Sequence, residues 1–180
     1  MKAISLHDGI FLFKNFISES YINNLIKIAE SYDEKYWYDE SLPDHWKGKV
    51  LISKSIVDEL DIINKKISEL FQSYSYITDI KNIQRVVPGG SINYHTDNGS
   101  DKDNKYGVIL YLNGDFLGGE IDYPDINFYY HPDPGDLIIH EASIYHGVRE
   151  LISGTRYMLT CFVEGNNDIP ASLKKEVLND

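Results

Sequence analysis

The chain has a single cysteine, Cys161, among 180 residues. That excludes an intramolecular disulfide and any zinc site built on thiolates. Its flanks, Met158-Leu159-Thr160 and Phe162-Val163, read as a buried strand, so the thiol is expected to be a small core hydrophobe. Basic residues are scarce too: 17 Lys and Arg stand against 28 Asp and Glu, a formal net charge of -11. Nucleic-acid affinity rests on Lys and Arg displacing counterions, so this balance argues against a DNA or RNA partner. It argues equally against anionic membrane surfaces. Long apolar runs are missing. None approaches the ~20 residues that cross a bilayer, and His7 and Asp8 interrupt any signal-peptide core after Lys2. A soluble, cytoplasmic protein with no membrane partner is the expectation. Internal repeats and low-complexity linkers are also lacking.

What is present is ordinary globular composition, 42% hydrophobic and 25% charged. Aromatics reach 13%, with 14 tyrosines, and such residues favour pleated, half-buried surfaces. The length fits one domain with its own core. A single domain over 1–180 is expected: mainly helical support over 1–75, a β core over 76–165 and a tail over 166–180.

The helical part rests on periodicity. Ser18 is a plausible N-cap ahead of the stripe Tyr21, Ile22, Leu25, Ile26 and Ala29. Ile56, Leu60, Ile63, Ile67, Leu70 and Phe71 recur at spacings of three and four, predicting a helix over 55–72. Between them, 37–48 carries Pro43 and Gly48 and reads as a loop. Strands are predicted over 77–87, 106–112, 121–123, 127–130, 136–140, 144–150 and 155–164. Turns at Pro88-Gly89-Gly90, Asn113-Gly114-Asp115, Pro132 to Gly135 and Ser153-Gly154 punctuate them. The predicted fold is α+β, mainly β: a double-stranded β-helix, or jelly-roll barrel, with N-terminal helices packed on its outside.

His95-Thr96-Asp97 carries the chemistry. On a strand, positions i and i+2 share a face, so one imidazole and one carboxylate reach one ion. A second histidine completes a 2-His-1-carboxylate facial triad, which leaves iron positions open for co-substrate and oxygen. His146 and His140 compete for that place. Arg156 lies ten residues after His146. A turn at Ser153-Gly154 would lay its strand beside the His146 strand. Its guanidinium could then meet the far carboxylate of an iron-bound dicarboxylate such as 2-oxoglutarate. Thr160, four residues on, shares the Arg156 face, and Phe162 continues it.

These pieces belong to an ordered series: V-P-G-G at 87–90, H-T-D at 95–97, L-Y-L-N at 110–113 and L-G-G-E at 117–120. D-P-G-D at 133–136, H-G-V at 146–148 and G-T-R-Y at 154–157 follow. The series resembles the prolyl 4-hydroxylase branch of the 2-oxoglutarate/Fe(II) oxygenases. The resemblance implies Fe(II), 2-oxoglutarate as co-substrate and O2, with ascorbate as an optional reductant. It implies His95, Asp97 and His146 as metal ligands, since an apolar residue usually stands where this chain has His140. His140 is then a core histidine or a support to the ligands. It also implies Arg156 and Tyr111 as contacts of the far 2-oxoglutarate carboxylate, with Thr160 beside them. Asp97 separates the chain from iron halogenases, which lack that carboxylate.

The expected reaction is hydroxylation of an unactivated carbon, with 2-oxoglutarate going to succinate and CO2. The resemblance points to a prolyl residue in a peptide or protein. A free amino acid or other small molecule on the same scaffold is the alternative. A non-catalytic jelly-roll binding module is a reading of another class, and a zinc enzyme on the same two His and one Asp is a further one. Of the remaining histidines, His131 is expected at a turn, and His7 and His45 on the surface. Gly118-Gly119 fits a bend or bulge, and 98–105 reads as a loop near the metal, serving as a lid. The sequence says nothing of oligomeric state.

Overall fold

The structure is a computed structural model, and it describes residues 3–39, 47–71, 77–99 and 103–165. His45, the Pro43 loop, the end of the second predicted helix at Gln72, the middle of the 98–105 loop and the 166–180 tail lie outside the described residues. The chain opens with β1 (Ile4–His7), β2 (Ile10–Phe13) and α1 (Glu19–Glu30). It continues with β3 (Trp37–Asp39), β4 (Lys49–Leu51) and α2 (Lys54–Phe71). Then come β5 (Ile83–Val86), β6 (Ile92–His95), β7 (Asn104–Tyr111), β8 (Leu117–Gly118) and β9 (Ile121–Tyr123). β10 (Phe128–Tyr130), β11 (Leu137–Glu141), β12 (His146–Val148), β13 (Leu151–Ser153) and β14 (Arg156–Glu164) complete it.

Eight strands form one sheet in the order β1-β2-β11-β7-β14-β5-β4-β3. Four form a second, β10-β9-β12-β6, and β13 pairs with β8 in a small third sheet. All named pairings are antiparallel. The part of the chain up to Phe71 thus supplies four strands as well as its two helices. β1 and β2 extend the large sheet beyond β11, and β3 and β4 extend its other edge beyond β5. Ile10–Phe13 is buried at every position, so it shows no alternation that would betray a strand.

Two cores follow from the period-2 alternation of the large sheet. On one side, Tyr106, Val108 and Leu110 of β7 and Leu159, Cys161 and Val163 of β14 pack with the helices. Ile22, Leu25 and Ala29 of α1 and Ile56, Leu60, Ile63, Ile67 and Phe71 of α2 fill the same core. Each fully buried Ile or Leu there contributes about 1.5–3 kcal/mol. Ser18 caps α1, its hydroxyl accepting from the Tyr21 amide at 3.3 Å. On the other side, Ile109 and Tyr111 of β7 and Met158 of β14 face Ile121 and Tyr123 of the four-stranded sheet. This second interior holds the cavity described below. Cys161 is free and buried, and burial pushes its thiol up to about 12, so it is chemically quiet.

The D-P-G-D turn is tied to the large sheet by Asp136. Its fully buried Oδ2 accepts from Lys14 Nζ at 3.0 Å, Tyr130 Oη at 2.7 Å and the Asp133 amide at 2.8 Å. Breaking a buried ion pair costs roughly 3–5 kcal/mol. The side chain of Lys14 is 35% exposed, so its share is smaller. Lys14→Met is expected to destabilise the fold by about 1–3 kcal/mol in urea denaturation. An unchanged midpoint would show that solvent or Tyr130 alone satisfies Asp136.

Candidate active site

The ladder between β6 and β12 sets His146 directly opposite His95, with ring centroids 4.6 Å apart. Asp97 does not share the strand with His95 as predicted. β6 ends at His95, and Asp97 lies in the bend beyond it. Its amide donates to Ala142 O at 2.8 Å, and its carbonyl accepts from Asn104 Nδ2 at 2.8 Å. Those bonds, rather than strand alternation, turn the carboxylate toward the two imidazoles. Ligand atoms of His95, Asp97 and His146 all come within 4.8 Å of one another, a set able to hold a metal ion.

The hydrogen bonds of the two rings decide which nitrogen faces the cluster. His95 Nδ1 donates to Asn93 O at 2.7 Å, and His146 Nδ1 donates to Ile144 O at 2.9 Å. Each ring is thereby held with its Nε2 lone pair directed inward, as a metal ligand requires. His95 Nε2 is 3.3 Å from Asp97 Oδ1, and His146 Nε2 is 3.8 Å from Asp97 Oδ2.

The electrostatics agree. Burial works to raise the Asp97 carboxyl, yet hydrogen bonds from His140 and His95 hold it well below the usual carboxylate range. The Asp97 hydrogen bond raises His95. Burial, with the neighbouring His140 ring, pushes His146 down to about 3, so it stays neutral and available as a ligand.

His140, the sequence-level rival, takes a different place. It is fully buried, with Nε2 3.0 Å from Asp97 Oδ2 and Nδ1 3.0 Å from Tyr123 Oη. It contacts the carboxylate from behind.

Arg156 departs from its predicted neighbourhood. β14 lies between β7 and β5 in the large sheet, so Arg156 reaches the cavity from the wall opposite His146. It is fully buried, its Nη2 lies 3.4 Å from Tyr111 Oη, and its Nε has no hydrogen-bond partner. Burial lowers its pKa, and Tyr111 is the single group offsetting that. Tyr111 is fully buried behind the guanidinium rather than on the cavity wall. Thr160 lines the cavity and accepts from Gln84 Nε2 at 2.9 Å. Phe162 also lines it.

The cavity joining these groups has a volume of about 450 Å³ and runs from His95, Asp97 and His146 to Arg156. Gln84, Ile92, Val148 and Met158 line it as well and were not foreseen. Gln84 and Met158 alternate onto the same side of their strands as Val86 and Arg156, a period-2 signal available once the strand register is known. His131 lies three residues ahead of the turn at Pro134-Gly135, its Nε2 donating to Gly114 O at 2.9 Å.

The residues fit the group that the donor set implies. Two imidazole nitrogens and one carboxylate suit a ferrous ion, and a buried cation without a carboxylate partner among the described residues suits the far end of a dicarboxylate. Residues 82–164 match the family model of the 2OG-Fe(II) oxygenase superfamily. Fold, site and match point to one class: residues 82–164 are similar to the oxygenases of that superfamily, and they contain a His-Asp-His set able to hold a metal ion.

The relatives are varied. The chain is 28% identical over 114 residues to thymine dioxygenase JBP1 of Trypanosoma brucei brucei. That match covers 63% of this chain and spans only 11% of the length of that relative. A prolyl-4-hydroxylase of Pseudomonas putida superposes with a TM-score of 0.69 at 14% identity, covering 88% of this chain and 94% of that one. A Trichoplax adhaerens prolyl hydroxylase, in complex with a hypoxia inducible factor oxygen degradation domain peptide fragment, gives 0.68 at 17% identity. It covers 94% of this chain and 88% of that one. At such identities the superpositions establish a shared fold. Among the described residues no helix is long and apolar enough to cross a membrane.

Proposed function

We propose that the protein hydroxylates an unactivated carbon, most simply that of a prolyl residue in a peptide or protein. His95, Asp97 and His146 would hold Fe(II), and Arg156, braced from behind by Tyr111, would hold the far carboxylate of 2-oxoglutarate. The observation that carries this reading is Arg156, a buried guanidinium lacking a carboxylate partner among the described residues, facing the cluster across one cavity. When bound, iron and 2-oxoglutarate supply the oxidation. One atom of O2 enters the substrate C–H bond as hydroxyl, the other enters succinate, and CO2 leaves. The chain's own part is to bind, orient and exclude water. Nδ1 bonds to Asn93 and Ile144 keep both imidazoles presented through Nε2. The apolar walls from Ile92, Val148 and Met158 keep bulk water from the reacting carbon.

The peptide reading draws support from the shared fold with prolyl hydroxylases, one of them bound to a peptide fragment. The thymine dioxygenase relative supports a second reading, a nucleobase substrate. The net charge of -11 weighs against that reading for a polyanion. The deciding experiment loads protein with Fe(II) without oxygen, then measures succinate after O2 and 2-oxoglutarate are added. Wild type and His95→Ala are compared, each with proline-containing peptides and with thymine-containing oligonucleotides. Turnover that proline peptides stimulate and His95→Ala lacks is expected. Stimulation by oligonucleotides alone would transfer the function to the second reading. Failure to bind 2-oxoglutarate would overturn the oxygenase activity itself.

A further inference from the structure

We propose that His140 is the positioning residue for Asp97, fixing which carboxylate oxygen is offered to the metal; this rests on the reading of His95, Asp97 and His146 as iron ligands. His140 stands on β11, in the large sheet, whereas His95 and His146 stand on the four-stranded one. Its side chain is completely enclosed. Its two ring nitrogens have one partner each: Tyr123 Oη at 3.0 Å on Nδ1 and Asp97 Oδ2 at 3.0 Å on Nε2.

The chemistry of the partners gives this chain a direction. A carboxylate only accepts, so the ring nitrogen facing Asp97 carries a hydrogen. In a neutral imidazole the other nitrogen then accepts, and the Tyr123 hydroxyl is the donor that satisfies it. Burial keeps the Tyr123 phenol protonated, which suits that role. The order is therefore Tyr123 to His140 to Asp97. It is opposite in sense to His95 and His146, whose Nδ1 atoms donate to backbone carbonyls and whose Nε2 atoms face the ligand cluster. Three histidines meet around one carboxylate; with His95 and His146 turned to an ion as ligands, His140 is the one left presenting an N–H to Asp97.

Two consequences follow. Oδ2 is engaged by His140, so Oδ1, which faces His95 at 3.3 Å, is the oxygen left for the ion. A carboxylate held this way ligates through one oxygen and does not close a second bond, which preserves the open positions that co-substrate and O2 need. The arrangement also needs room. Gly107, opposite His140 in the β7–β11 ladder, provides it: a Cβ there would lie 2.3 Å from both Asp97 Oδ2 and His140 Nε2.

Co(II) titration of the metal-free protein, followed by its d–d absorption, tests the assignment. Wild type is compared with His140→Leu, His140→Gln, Tyr123→Phe and Asp97→Ala. Supporting hydrogen bonds to metal ligands typically carry 10–100-fold in affinity. His140→Leu is expected to weaken Co(II) binding by about that factor and to shift the absorption band. His140→Gln, which keeps an N–H donor, should recover most of the loss, and Tyr123→Phe should fall between. Circular dichroism of each metal-free variant reports folding. If His140→Leu does not fold, Tyr123→Phe, which keeps the ring volume, carries the test alone. Wild-type affinity and an unmoved band in His140→Leu or Tyr123→Phe would overturn the positioning role while leaving the iron site intact. A loss in His140→Leu as complete as in Asp97→Ala would also overturn it and make His140 a ligand. Absence of Co(II) binding by wild type would remove the iron site and the positioning role together.

Discussion

Gly107→Ala is expected to cut metal retention by roughly 10–100-fold or more while leaving the protein folded. Gly107 lies in the middle of β7, and its backbone is not in the left-handed region, so alanine brings no backbone strain. The effect is steric and local. The new methyl would sit 2.3 Å from Asp97 Oδ2, 2.3 Å from His140 Nε2 and 2.7 Å from His140 Cδ2. Real Cβ contacts essentially never fall below 3.0 Å, so one of these groups must move. His140 is held between Tyr123 and the ladders to β2 and β7, and has no free space. Asp97 sits in a bend and is the group that yields, taking the carboxylate away from His95 and His146. Overpacking of this kind costs about 1–3 kcal/mol of stability, which a folded domain survives. The check is Fe(II) retained after anaerobic gel filtration, counted by a colorimetric chelator, beside a urea melt of the same sample. Wild-type retention would mean that the site tolerates a displaced Asp97, and the importance assigned to the Asp97–His140 contact would fall with it.

A glycine inside an otherwise apolar strand is also where the sequence spoke softly. Tyr106 to Leu112 reads as a strand from its apolar run, and the Gly in it is a known sign of close approach by another group. What approaches is not written locally, because His140 and Asp97 come from elements far off in sequence. Elements with their own periodicity were legible: α1 and α2 from their stripes, β14 from its long apolar stretch. Predicted strands over 77–87 and 144–150 shrank to Ile83–Val86 and His146–Val148, since apolar residues also line loops that cross a barrel. β2 escaped because a strand buried on both faces has no alternation, and β3 and β4 because three residues carry no period. At the site, residue types and order were readable, and the structure gathers His95, Asp97 and His146 as the H-x-D pattern suggested. Their placement was not. Asp97 is set by backbone bonds to Ala142 and not by strand alternation, and Arg156 comes from the opposite sheet because β13 intervenes between β12 and β14. Both facts depend on which strands pair, which no local window encodes.

Arg156→Met is expected to strengthen the metal-free fold and to abolish its response to 2-oxoglutarate. A guanidinium taken wholly out of water loses several kcal/mol of hydration unless a partner repays it. Here the described partners are Tyr111 Oη at 3.4 Å and the Met158 sulfur, and Nε has none. Methionine fills similar length without a charge, so a gain of about 1–4 kcal/mol is expected, at roughly 2–4 °C in Tm per kcal/mol for a domain of this size. Removing one member of a buried charge pair costs about 2–5 kcal/mol of binding, equivalent to roughly 30- to 4000-fold in affinity for 2-oxoglutarate. The two effects have opposite signs, which gives the experiment its force. In thermal melts without ligand, the variant should lie above wild type. With Mn(II) and excess 2-oxoglutarate, wild type should rise because the ligand binds only the folded state, while the variant should stay where it was. The curves should therefore approach or cross. A variant less stable than wild type without ligand would show that Arg156 is a structural cation with partners enough of its own. A variant that still rises with 2-oxoglutarate would place the dicarboxylate elsewhere. Only a binding cation that is strained in the empty protein and relieved by its anion predicts both halves of the result.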